Sequence, residues 1–350
     1  MYHPGKAGAW KGRVDSTTDY DAFRWHQWIL PLDLDSAAAP PSRKGGAVPA
    51  AGVAFIGFAC DEGVRRNLGR PGARRGPAAI RAESANLPCS FDPSFALYDA
   101  GDVECEGVAL EEAQALLGEK VAAILRLGLF PIVLGGGHET AYGHWLGHHG
   151  ARDAERATER ATERATERAT ERAGIINFDA HFDLRPYPDG GGSGSMFRQI
   201  ADSLAAAGED FRYLCLGIQK RSNTVALFRD AEALGARWLL ARDIAEGGAA
   251  AAYPEIDRFL ASCDRIMLTI CADVVSSAWA PGVSSPQALG IEPETLLRMM
   301  KHVLTSGKAR GLDLCEVSPR EDGPDATASL ASTIVFAAVN ALAANAGLER

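Results

Sequence analysis

The sequence predicts an α/β fold built on a mostly parallel central sheet. Two observations carry this reading. Apolar runs of strand length alternate with segments of helical composition along most of the chain. Four of those runs end in polar residues: His138, the set Asp179, His181 and Asp183, then Asp273, and Glu316. Sites in open α/β sheets lie at the carboxyl ends of the strands, and scattered loop polarity would not favour that edge four times. The 350 residues, 47% hydrophobic and 23% charged, suffice for a real core. The expected organisation is an N-terminal arm and flexible loop over 1–51, then one domain over 52–350.

Residues 1–35, with Trp10, Trp25 and Trp28, read as an arm or short helix packed on the main domain. Residues 36–50 have linker composition and read as a mobile loop. An apolar strand is expected over 52–59. Pro77, well suited to a first helical turn, opens a helix over 77–86. A short strand and turn follow at 97–103, then a helix over 108–127 stopped by Gly128. A strand at 130–134 enters Gly135-Gly136-Gly137-His138-Glu139. Three glycines permit a sharp turn and close backbone approach, but the loop lacks the Gly-Lys-Ser/Thr of a phosphate-binding motif. A helix begins near Thr140. Residues 154–173 form a low-complexity insertion dominated by an Ala-Thr-Glu-Arg repeat. A period of four stacks like charges at i, i+4 and leaves no apolar face, so a solvated, marginal helix or disordered insertion is expected.

The strand entering Asp179-Ala180-His181-Phe182-Asp183 follows. Alternate side chains of an extended chain share a direction, which would let Asp179, His181 and Asp183 converge. Beyond it are a helix from Met196, a strand at 213–218, a helix over 222–235, a short strand at 238–240 and a helix over 253–262. A strand at 265–270 runs into Cys271-Ala272-Asp273. A helix over 293–306, a strand over 311–317 and an Ala-rich helix over 326–346 complete the chain.

The net charge of −9 argues against a nucleic-acid partner. The seven cysteines, scattered and without CxxC spacing, read as reduced thiols of a cytoplasmic protein. No signal peptide is evident, and no apolar run approaches the ~20 residues of a membrane span.

The Gly-Gly-Gly-His-Glu loop, Asp179-Ala180-His181-Phe182-Asp183 and Glu316 at its strand end together resemble the arginase/agmatinase (ureohydrolase) family. The block from Cys60-Asp61-Glu62-Gly63 to Gly76-Pro77-Ala78-Ala79-Ile80-Arg81 looks like the same family's access loop. The resemblance implies a three-layer αβα domain and a hydrolase with two Mn2+ ions. It would assign His138, Asp179 and Asp183 to one metal and Asp179, His181 and Asp273 to the other, with Glu316 aligning a cationic amidinium. A metal pair makes hydroxide available near neutral pH, here for attack on an amidine carbon. Trp10-Lys11-Gly12-Arg13-Val14-Asp15, Leu184-Arg185 and Ala280-Pro281-Gly282-Val283-Ser284-Ser285-Pro286 look like the formimidoylglutamase branch. Those enzymes hydrolyse N-formimidoyl-L-glutamate to L-glutamate and formamide in histidine degradation. Arg185, then Ser193 and Ser195, then Asn67 and Arg74, are candidates for the substrate carboxylates. A guanidine substrate such as agmatine or guanidinobutyrate, and a catalytically weak metal-binding paralogue, are the competing readings. The family's relatives are commonly homo-oligomers.

Two positions depart from the family pattern. Cys271 stands where the family places an aspartate that bridges both metals, which is expected to weaken the second site. No histidine occurs over 190–199, where arginases carry a proton shuttle. The repeat is expected to be dispensable: deletion of 157–172 should leave turnover intact in an activity assay, and loss of metal binding would contradict it.

Overall fold

The computed structural model describes residues 1–42, 51–161, 171–319 and 325–350. The chain begins with β1 (Tyr2–His3), α1 (Trp25–Trp28), β2 (Leu30–Pro31), β3 (Ala51–Ala59), α2 (Glu62–Arg66) and α3 (Gly76–Ser84). It continues through β4 (Phe95–Glu104), α4 (Leu110–Arg126), β5 (Phe130–Leu134), α5 (Thr140–Ala161), β6 (Ala173–Phe178) and α6 (Met196–Ala206). β7 (Tyr213–Ile218), α7 (Val225–Ala233), β8 (Arg237–Leu240), α8 (Ala241–Ser262) and β9 (Arg265–Cys271) follow. α9 (Pro293–Thr305), β10 (Ala309–Cys315) and α10 (Ala326–Asn345) end it.

The strands form one 10-stranded sheet in the order β1-β4-β3-β5-β10-β9-β6-β7-β8, with β2 also on β4. Among the described residues, β1 is the one strand antiparallel to its neighbour. The strands β5, β10, β9 and β6, which carry the polar ends singled out in the sequence, are therefore adjacent at the middle of the sheet. Strand alternation sorts the core. Val53, Phe55, Ile132, Leu134, Ile176, Phe178, Leu268 and Leu312 pack on one face with α3, α8, α9 and α10. On the other face, apolar packing forms two separate clusters. Ala54, Ile56 and Val133 meet α4, while Ile175, Tyr213, Cys215 and Met267 meet α6 and α7. The expected three layers are present.

The arm is more deeply integrated than expected. β1 and β2 extend the sheet through β4, and Trp10 and Trp25 are buried against Phe55. The strand-and-turn expected at 97–103 is one ten-residue strand, because a register shift opposite Phe55 and Gly57 absorbs the kink. α8 starts at Ala241, well before the expected 253; Gly248, with φ 64, breaks its helical geometry and hid the first half. Of the loop expected over 36–50, residues 43–50 lie outside the described residues, as do 162–170 of the insertion. Residues 154–161 continue α5. At the insertion's other end, Glu171 pairs with Arg265 and Arg172 with Asp264. The deletion above would remove this second anchor, whose exposed ion pairs are weakened by solvent screening.

Two compositional readings are corrected. Cys60 and Cys105 form a disulfide. They follow the paired residues Ala59 and Glu104 of neighbouring strands β3 and β4, a proximity that a separation of 45 residues conceals. Cys89, Cys215, Cys263, Cys271 and Cys315 are buried and stand outside that disulfide. Among the described residues one helix, Ala326–Asn345, is long and apolar enough to cross a membrane, and 61% of its apolar window is buried. It contributes Ala331, Ile334, Val335, Ala338 and Val339 to the main core.

Candidate metal centre

The Gly135-Gly136-Gly137 loop leaves β5 in a narrow slot between the ends of β3 and β10. Gly135 donates to the Leu314 carbonyl, Gly137 to the Cys60 carbonyl, and Glu316 donates to the Gly136 carbonyl at 2.7 Å. A Cβ at Gly136 would collide with the Cys60 carbonyl, so the glycine serves close backbone approach. The slot delivers His138 to the head of α5, 1% exposed.

β6 ends at Phe178, before the first expected ligand. Strand alternation therefore does not orient Asp179, His181 and Asp183. A bend does, held by the His181 amide donating to Asp179 Oδ1, the Phe182 amide donating to Asn223 Oδ1, and Asn223 Nδ2 donating to the Ala180 carbonyl. Asp183 sits at φ 51 and Glu316 at φ 67. For non-glycine residues such backbone costs of order 1–3 kcal/mol and clusters at functional sites. Glu316 likewise lies just past the end of β10, not inside the expected strand over 311–317.

The bend brings the candidate ligands together. His138 Nδ1 lies 3.0 Å from Asp179 Oδ2 and 3.0 Å from Asp183 Oδ2. His181 Nδ1 lies 3.4 Å from Asp179 Oδ1 and 3.2 Å from Asp273 Oδ2. Asp179 thus turns one oxygen to each imidazole, as a bridging carboxylate would. The Cys271 thiol falls within 4.8 Å of the donor atoms of His138 and Asp179. Asp273 Oδ1 is buried without a hydrogen-bond partner. Carboxylates with imidazoles, and a buried oxygen left unpaired, fit a hard divalent ion such as Mn2+.

Electrostatics point the same way. Burial opposes charge on both imidazoles, yet the neighbouring aspartates outweigh it and hold His138 and His181 well above the ordinary histidine range. Burial raises the Asp183 carboxyl to about 6, helped by Asp179. Burial, then the charges of Asp179, Asp273 and Glu316, lift the Cys271 thiol far up. Glu316 rises to about 7 through burial and Asp273, while the Ser284 hydroxyl and the His138 amide, which donates to Oε1 at 3.0 Å, restrain it. The cluster is poised to accept positive charge.

Of the candidates for substrate carboxylates, Arg185 is exposed. A Cβ built on Gly194 would lie 2.9 Å from Asn67 Oδ1 and 3.1 Å from Arg185 Cδ, so these two side chains flank Gly194. Ser193, next to Gly194 in sequence, is buried. The Ser195 hydroxyl accepts from the Gly192 amide and from Gln199 Nε2, so it ties the loop to α6. Arg74 is exposed, and its amide meets Asp61 Oδ2 at 3.4 Å.

Residues given no role in the sequence reading surround the candidate ligands. Asn177 Nδ2 donates to Asp179 Oδ2 at 3.2 Å. Ser285 Oγ lies 3.4 Å from His181 Nε2. Thr269 Oγ1 lies 2.9 Å from His138 Nε2, and behind it stand Asp313, His144 and His148. The one signal for the last pair was their i, i+4 spacing on the helix that follows His138. Glu139 is fully buried, its Oε1 accepting from the Gly63 amide at 2.9 Å and fixing the access loop.

Burial, then Glu316, raises the Glu139 carboxyl to about 8, against an ordinary 4.5. An acid raised on folding costs no stability while protonated; the cost enters above the unfolded pKa and grows until the folded pKa is passed. In metal-free protein, E139Q should therefore match wild type near pH 4.5. It should gain on wild type as pH rises to 8, by about 1–3 kcal/mol in denaturant unfolding. A difference independent of pH over this window would refute the raised carboxyl.

Residues 51–340 match the arginase family. A formimidoylglutamase of Clostridium tetani (strain Massachusetts / E88) is 45% identical, covering 99% of this chain and 98% of that protein. One from Geobacillus thermodenitrificans (strain NG80-2) is 44% identical over 97% of both chains. A Trypanosoma cruzi formiminoglutamase solved with Mn2+ superposes with a TM-score of 0.70 at 27% identity, covering 89% of this chain and 98% of its own. The Bacillus subtilis formimidoylglutamase fold superposes with a TM-score of 0.74 at 21% identity, over 95% of this chain and 96% of that one. Together with the motifs and the central cluster they form, these matches show that the chain belongs to the arginase family.

Proposed function

We propose that this protein hydrolyses the formimidoyl C–N bond of N-formimidoyl-L-glutamate, giving L-glutamate and formamide, with Mn2+ as its metal. The observation that carries this reading is the pair of imidazole–carboxylate groups sharing Asp179. The relatives' near full-length likeness supports the substrate. His138, Asp179 and Asp183 would hold one ion, and Asp179, His181 and Asp273 the other. Bound there, the ions supply a nucleophilic water at neutral pH.

The chain's own residues do the rest. Glu316, once ionised, pairs with the cationic amidinium and orients its carbon. Its position past the strand end at positive φ aims the carboxylate into the cluster. Burial of His138, Asp179 and Asp273 excludes bulk water and strengthens each charge interaction. Arg185 and Asn67, which flank Gly194, supply a guanidinium and an amide for the glutamate carboxylates. A guanidinium there disfavours the distal amine of agmatine.

Turnover of formimidoylglutamate, agmatine, guanidinobutyrate and arginine by Mn2+-loaded protein, measured side by side, should favour formimidoylglutamate. Faster turnover of a guanidine would overturn the assignment, and no turnover of any would favour the metal-binding paralogue.

Cys271 is the soft member of a hard ligand set, and we take it to weaken one of the two ions. C271D should raise the affinity for the weaker Mn2+ by roughly tenfold or more in isothermal titration, the scale on which a ligand shell acts. Unchanged affinity would remove Cys271 from the centre.

A further inference from the structure

The sheet face beneath α5 breaks the pattern of the core. Apolar packing on that side divides into two clusters, one under α4 and one under α6 and α7. Between them the strands present Thr269 from β9 and Gly311, Asp313 and Cys315 from β10. Thr269 and Asp313 are register partners and are fully buried. From α5, His144 and His148 descend into this seam, also buried. A Cβ on Gly311 would lie 2.5 Å from His144 Nε2 and 2.6 Å from His148 Nε2. The missing side chain is what admits both rings.

The polar groups form one connected line. His138 Nε2 lies 2.9 Å from Thr269 Oγ1, which donates to Asp313 Oδ1 at 2.6 Å. Asp313 Oδ1 also accepts from the Cys315 thiol, and Oδ2 lies 2.6 Å from His144 Nδ1. His144 Nε2 meets His148 Nε2 at 3.0 Å.

Counting protons fixes the direction of each bond. An ionised carboxylate only accepts, so His144 Nδ1–H donates to Asp313. The single Thr269 hydroxyl proton is committed to Asp313, so its oxygen must accept from His138 Nε2–H. His138 is then left with Nδ1 as the atom that faces Asp179 and Asp183. A bare lone pair 3.0 Å from two carboxylate oxygens is repelled unless a proton or a metal cation lies between them.

We propose that His144 is a positioning residue: through Asp313 and Thr269 it holds His138 in the tautomer whose Nδ1 faces the metal. This rests on the Mn2+ centre of the preceding section. It extends the orienting contact of His138 along the sheet face to a side chain of α5. Burial, then the charges of His144, Arg265 and Arg310, hold His148 far below the ordinary range, so it closes the line as a neutral ring.

Two amide substitutions separate this role from simple packing. In H144N the amide nitrogen occupies the place of Nδ1 and can still donate to Asp313. In H144Q the amide reaches the place of Nε2, keeps the His148 contact and abandons Asp313. Mn2+ affinity is read by isothermal titration of chelator-stripped, full-length protein. H144Q should lose roughly 10–100-fold and H144N should stay within about threefold of wild type, the range found for outer-shell partners of metal-binding histidines. Thr269→Val, which cuts the same line nearer His138, should match H144Q. Equal affinities for H144Q and wild type, or equal losses in H144Q and H144N, would overturn the proposal alone. A wild-type protein that takes up no Mn2+ would overturn the metal centre with it.

Discussion

Buried negative charge is the constraint around which this molecule is built. Asp179, Asp183, Asp273 and Glu316 are all nearly or wholly removed from water, and an uncompensated carboxylate in such surroundings is expensive. His138 and His181 offset part of that charge by drawing protons, which is why their basicity rises against the effect of burial. A divalent cation offsets it more fully. The cluster is therefore a structural liability without a cation and an asset with one, as expected where metal binding and folding are coupled.

Placing these charges together costs backbone freedom. The glycine loop after β5 is threaded between two strand ends so closely that its carbonyls and amides join both neighbours. Asp183 and Glu316 take left-handed backbone where glycine would be more comfortable. The sheet order supplies the remaining condition. Because β10 and β9 lie between β5 and β6, segments far apart in the chain present their ends side by side. The polar seam under α5 divides the apolar packing of one face, and a fully hydrogen-bonded line there costs far less than unpaired groups would.

Local pattern carried much of the sequence reading. Strands at β5, β7 and β9, the helix at α10 and the candidate ligand residues were legible because apolar runs, glycine stops and Asp-x-His-x-Asp are short-range signals. Other features were not. Gly248 masks the first half of α8, and nothing near Cys60 indicates Cys105. The isolated Tyr2–His3 and Leu30–Pro31 are too short to read as strands without β4 beside them. Ser195 looked available for substrate, but its hydroxyl is held by Gly192 and Gln199.

The chain's own order of residues determined the fold class, the types of candidate ligand and the edge of the sheet at which they gather, since each depends on periodicity or on neighbours a few positions apart. Tertiary structure decided how the ligands converge. The motif that opened as an alternating strand is in fact a bend beyond β6, shaped by Asn223 from another loop and by positive φ at Asp183. It also decided that Asp313, His144 and Thr269 meet behind His138. Those residues come from three separate elements, and hydrogen bonds across such distances in sequence exist only once the sheet has set its register.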